Sequence, residues 1–176
     1  MQSTVAILGI GNILEHDDGI AVYTAAYLQN NFTFTPEIDI INGGVEGINL
    51  LNIFMEYKTI LILDALDIDD TPGSVYRIPA SKLAGYGLNS GGAHELGVLQ
   101  CLDILELLEK PLPHSCILGI VPHTIDVKIA ISKQLSSTFE TYIQTILKTL
   151  KQYHITAHQK MPHRSLENII ESFKNP

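Results

Sequence analysis

Cysteine is scarce in this chain. Of its 176 residues only Cys101 and Cys116 are cysteines, each in an apolar stretch and neither with a CxxC neighbour. That pattern disfavours a thiolate metal site or a disulfide framework, and the two read as buried free thiols. Charge is also thin: 17% of residues are charged, and 11 basic side chains face 19 acidic ones for a formal charge of -8. A nucleic-acid partner would need a basic surface, and none is encoded. No apolar run approaches the roughly 20 residues of a membrane span. The opening MQSTVAILGIGN lacks the basic region and cleavage site of a signal peptide, so a soluble, cytoplasmic protein is expected.

Several catalytic signatures are missing as well. There is no GxSxG elbow. His94-Glu95 begins like HExxH, but Val98 stands where the second histidine would be. Gly9 and Gly11 start a GxGxxG pattern that fails at Leu14, and the acids that follow would repel a pyrophosphate.

What is present is an alternation of apolar strands and amphipathic helices, with 45% hydrophobic residues to fill one core. Buried strands are expected at 4–9, 37–41, 58–63 and 114–121, and an edge strand at 74–78. Helices are expected at about 18–28, 45–57, 93–109 and 133–153, the first capped by an acid near its start. Strands apolar on both faces, alternating with helices, predict an α/β fold with a mainly parallel sheet covered on both sides. Residues 1–154 read as one domain and 155–176 as a polar tail, with a short helix near 165–173. No exposed apolar stripe is left over, so a monomer is expected.

In such sheets ligands bind beyond the carboxyl ends of the strands. Three loops follow predicted strands there: Gly9–Gly19, Asn42–Gly44 and the one opened by Asp64. Asp64 ends an apolar run, where a carboxylate is costly unless something polar or cationic meets it. Position alone leaves it equally readable as a strand-end cap. Asp17-Asp18 can likewise be helix caps or site acids. His94 follows a glycine-rich approach at the start of the best helix, where an imidazole tends to stay neutral and able to bind metal. Two carboxylates and an imidazole would suit Ni, Zn, Fe or Mn.

ILGIGNIL with Asp17-Asp18-Gly19, INGGVEGINLL, LILDAL, GAHELGV and ILGIVPHTID occur in this order. Together they resemble the [NiFe]-hydrogenase maturation proteases over residues 4–153. The resemblance implies a three-layer sandwich around a twisted sheet. It implies an endopeptidase that clips the C-terminal extension from the hydrogenase large-subunit precursor after nickel insertion, with nickel arriving inside that precursor. It implies Asp18, Asp64 and His94 as the metal-reading set. The catalytic acids would be Asp18 and Asp64, with Asp17 as a second acid beside Asp18. Asn12, Asn42, Gly43 and Gly44 would receive the substrate backbone. Asn42 stands where relatives often carry Asp, so that turn brings no charge. A free-standing metallohydrolase and a non-catalytic nickel carrier or chaperone remain the alternatives.

Overall fold

The computed structural model describes residues 4–80, 82 and 93–174, the side chains of 93–96 excepted. Four strands run parallel: β1 (Val5–Ile10), β3 (Asp39–Gly44), β4 (Thr59–Ala65) and β6 (His114–Ile120). β5 (Val75–Pro79) adds antiparallel to β6, giving the order β3-β1-β4-β6-β5. The alternation of this sequence therefore does produce a mostly parallel sheet with helices on both faces.

Side-chain period sorts the core into two halves. Ile7, Leu61, Leu63, Leu118 and Ile120 point to the face covered by α1 (Ile20–Asn31), α4 (Lys133–Gln152) and α5 (Leu166–Lys174). Leu8, Ile10, Ile60, Ile62 and Ile117 point to the other face, under α2 (Leu51–Glu56) and α3 (Ala93–Leu107). Gly9 sits where α1 crosses β1: a Cβ there would lie 2.6 Å from the Ala21 carbonyl oxygen. Only a glycine lets the helix approach so closely.

Four local expectations change. A 3₁₀ turn at His16–Gly19 precedes α1, whose N-cap is Gly19 with no side-chain cap bond, so neither acid caps this helix. The helix expected at 45–57 is a 3₁₀ turn, Gly47–Leu50, running into the short α2. A strand absent from the sequence reading, β2 (Phe32–Thr35), pairs antiparallel with β7 (Thr156–Gln159). The expected polar tail is thus part of the fold. Asn31 grips the Arg164 backbone in both directions, donating to its carbonyl at 2.9 Å and accepting its N–H at 2.7 Å. Leu166, Ile169 and Ile170 of α5 are then buried with the core, each contributing about 1.5–3 kcal/mol of transfer free energy. His163 is bound to the Tyr27 hydroxyl at 2.8 Å.

No helix among the described residues is long and apolar enough to cross a membrane.

Candidate active site

The carboxyl ends of β1, β4 and β3 lie side by side, and the loops that leave them are tied together by backbone. Gly11 donates to the Gly44 carbonyl at 2.9 Å. Gly43 is an extra residue in β3, because Gly9 faces Asn42 while Ile10 faces Gly44. This bulge turns the Asn-Gly-Gly segment at the mouth of the site. Asn42 closes the turn with its own side chain, accepting the Gly44 N–H at 3.1 Å. Asn12 does the same one loop away, accepting the Leu14 N–H at 3.1 Å. Both asparagines shape the two loops expected to meet substrate backbone.

Asp18 is buried in the His16–Gly19 turn that follows the loop after β1. The GIGN loop folds around it: Asn12 donates its backbone N–H to Asp18 Oδ2 at 2.6 Å. Gly11 adopts φ +140, and a Cβ there would fall 2.1 Å from the Asp18 carbonyl oxygen. The second glycine of this motif is thus required by the approach of Asp18, not by a phosphate.

Asp64 is fully buried at the end of the neighbouring β4. Strand alternation sets it on the face of Ile60 and Ile62, toward α2 and α3. From the opposite face Tyr142 of α4 reaches the same strand end and donates a 2.5 Å hydrogen bond to the Leu118 carbonyl. Burial, then the nearby Asp64 carboxylate, hold this phenol well above its ordinary range.

The start of α3 is brought to the end of β3 by two glycines. A Cβ on Gly97 would lie 2.4 Å from the Gly47 Cα, so the helix and the 3₁₀ turn after β3 touch backbone to backbone. Cys101, one turn further along α3, points its thiol at the Gly47 and Ile48 carbonyls at 3.9 and 3.8 Å. His94 is the second residue of α3, three positions before Gly97. Its side chain lies outside the described residues; the structure packs the turn that carries Asp18 against β4, which ends in Asp64, and sets the start of α3, with the His94 backbone, against the turn after β3. Among the described side chains no group of three His, Cys, Asp or Glu forms a metal site.

Asp17 has a different task from its neighbour. Fully buried, its carboxylate accepts three backbone N–H groups from the segment after β6: Ser132 at 2.6 Å, Thr124 at 2.9 Å and His123 at 3.0 Å. Its oxygens brace that segment, a task that its reading from sequence as a second acid beside Asp18 did not include. His16 is buried at φ 50 and pairs through Nδ1 with Asp126 at 2.7 Å. Nothing in the spacing announces these contacts, since the partners stand more than 100 residues apart.

Comparisons with known proteins agree with this architecture. The hydrogenase 2 maturation protease of Escherichia coli K12 is 22% identical over 154 residues, covering 87% of this chain and 94% of that one. The hydrogenase expression/formation protein HupD of Thiocapsa roseopersicina is 24% identical over 176 residues, covering 94% and 80%. The solved structure of the hydrogenase maturating endopeptidase HybD from E. coli superposes with a TM-score of 0.81 at 22% identity, over 91% of this chain and 98% of that one, and shows the same fold. The family model of the hydrogenase maturation proteases matches residues 22–149, and the chain belongs to that family.

Proposed function

We propose that this chain is the endopeptidase that removes the C-terminal extension of a [NiFe]-hydrogenase large-subunit precursor once nickel has been inserted. The observation that carries this reading is a pair of buried carboxylates, Asp64 at the end of β4 and Asp18 in the turn packed against that strand, in a maturation-protease fold. Nickel is part of the substrate here, delivered by precursor thiolates. Asp18 and Asp64 supply hard oxygen donors and His94 an imidazole nitrogen to its open positions. Recognition of the metal then fixes the scissile peptide against the Asn42-Gly43-Gly44 turn, and cleavage becomes conditional on nickel. One of the two carboxylates acts as general base: it takes a proton from a water that attacks the peptide carbonyl carbon and returns it to the leaving amine as the C–N bond breaks. Asp17 serves as a positioning residue behind this pair. Two buried free thiols suit work in the reducing cytoplasm.

The test is direct. Purified protein is mixed with nickel-loaded and nickel-free precursor, and intact mass is followed. Loss of a C-terminal peptide from the loaded form alone is expected. Binding without a clip would make the chain a chaperone. Cleavage independent of nickel would remove the metal from recognition. Full activity in both Asp64→Asn and His94→Ala would overturn the site assignment.

A further inference from the structure

The strand that delivers the Asn42-Gly43-Gly44 turn, β3, is an edge strand, and among the described residues no strand pairs with its outer side. The opposite edge of the sheet, β5, carries the exposed Arg77 and ends in Pro79. Both residues discourage pairing at an edge. β3 has neither: it reads Asp-Ile-Ile-Asn-Gly-Gly. Its one charged side chain, Asp39, is engaged by the Tyr57 hydroxyl at 3.0 Å.

The backbone of β3 turns one full hydrogen-bonding residue outward. At the two ends of β1, the Gly11 N–H faces β3, on the Gly44 carbonyl, and the Thr4 carbonyl faces β4, on the Thr59 N–H at 3.0 Å. Alternation along the strand then directs the odd-numbered residues of β1, Ile7 among them, to β3. The parallel register sets Ile40 opposite Ile7. In a parallel ladder one residue of each opposed pair sends its N–H and C=O across the gap, and here that residue is Ile7. Ile40 therefore points both of its groups away from β1, out of the sheet.

Ile40 also lines a cleft of about 520 Å³ between β3 and the β2–β7 ribbon. Phe32 and Phe34, with ring centres 6.3 Å apart, contribute an apolar wall, and Lys160 is held there by the Gln29 carbonyl at 2.8 Å. The cleft is continuous with the proposed site through one strand. Gly44 ends β3 about 13 Å beyond Ile40. There it binds Gly11, whose neighbour Asn12 donates to the Asp18 carboxylate.

We propose that the outer edge of β3 receives the C-terminal extension of the protein substrate as an added antiparallel strand. The inference rests on the proteolytic reading above and deepens it. An outward N–H and C=O on one residue is the complement of an extended main chain, which is what an endopeptidase takes as substrate. The extension has a free end, so it can lie along an edge without threading. Starting from the bond cleaved at the Asn42-Gly43-Gly44 turn, it runs back along β3. A residue about four positions past that bond then lies opposite Ile40, at the Phe32 and Phe34 wall.

Two measurements test this with nickel-loaded precursor. The first compares steady-state cleavage by the unmodified chain, Ile40→Pro and Ile40→Val. Proline at an outward edge position removes an N–H without breaking the ladder to β1. A KM raised about tenfold with kcat kept is expected for Ile40→Pro, and near-normal values for Ile40→Val. The second places single prolines at successive positions of the precursor's extension and leaves this chain unchanged. KM should rise at every other position, because alternate residues of an added strand turn their N–H to β3. If circular dichroism shows Ile40→Pro unfolded, the proline series decides alone. An unchanged KM in folded Ile40→Pro, or a series without alternation, overturns the added strand. So does a dimer in sedimentation that Ile40→Pro dissolves, which would make a second copy the occupant. No cleavage by the unmodified chain would instead overturn the proteolytic reading.

Discussion

The carboxylate of Asp17 accepts the backbone N–H of Ser132 at 2.6 Å, across 115 residues of sequence. With the His123 and Thr124 amides this makes Asp17 the point where the loop after β1 holds the loop before α4. Asp17→Asn would turn an amide donor toward at least one of these N–H groups and remove the charge from all of them. A loss of about 3 kcal/mol in urea unfolding is expected. Asp18→Asn keeps a carbonyl oxygen for the Asn12 amide and should change stability by less than about 1 kcal/mol, while cleavage falls about 100-fold or more. Two neighbouring acids thus separate into one variant defective in folding and one defective in chemistry. Equal stability of the two would refute that division.

Gly97 offers a test of how α3 is placed. An added methyl would meet the backbone of Gly47, which cannot rotate away as a side chain could. Gly97→Ala should gain about 1 kcal/mol of helix propensity but lose about 1–3 kcal/mol to overpacking, and push the first turn of α3, with His94, off the β3 loop. Cleavage should drop more than stability does. Gly47→Ala differs: among the described residues no atom beyond its chain neighbours lies within 4 Å of its Cβ position, and the cost comes from φ +56, about 1–2 kcal/mol. Activity of the two variants, each measured well below its melting temperature, distinguishes a displaced helix from a strained turn.

The sheet was legible because β1, β4 and β6 are apolar on both faces, and that composition has few other uses. Asp64 stood out by the same logic, as the first polar residue after such a run. Asp18 was legible only jointly with Asp17: adjacency to a helix made both look like caps, and the partners that tell them apart are distant in sequence. β2 is four residues long and pairs Phe32 with Gln159, so no local pattern could announce it. The C-terminal segment read as a tail because nine helical residues bury three side chains among many polar ones.

That segment yields the third prediction. α5 covers α1, with Phe173 edge-on to Tyr23 at 5.3 Å between ring centres and Ile169 buried. Ile169→Ala should cost about 2–4 kcal/mol by leaving a cavity. Ending the chain at residue 160 removes three buried aliphatic side chains, about 5 kcal/mol or more of a total stability on the order of 5–15 kcal/mol. The shortened protein should be aggregated or molten, seen as lost near-ultraviolet dichroism and a broad urea transition. A native-like transition in it would make the C-terminal segment the accessory tail its polarity suggests.

Alkaline pH should find the core before the surface. Burial pushes the Cys101 thiol up to about 11 and the Tyr23 phenol up to about 12, and burial with the nearby Asp64 carboxylate raises Tyr142 further. The unfolded chain sheds these protons at ordinary values, about 8.5 for a thiol and 10 for a phenol, while the folded chain keeps them. Folding stability from this source is complete below about pH 8.5 and is lost as pH rises toward the folded-state values. Urea midpoints should be level from pH 7 to 8.5 and fall steadily by pH 10.5. Cys101→Val should flatten the first part of that fall, and Tyr142→Phe the later part, at the expense of the hydrogen bond to Leu118. The same burial should leave both thiols inert to a disulfide reagent at pH 8 until urea unfolds the chain. Rapid labelling of either cysteine in the native protein, or a midpoint that rises with pH, would contradict the assignment of these groups to a closed core.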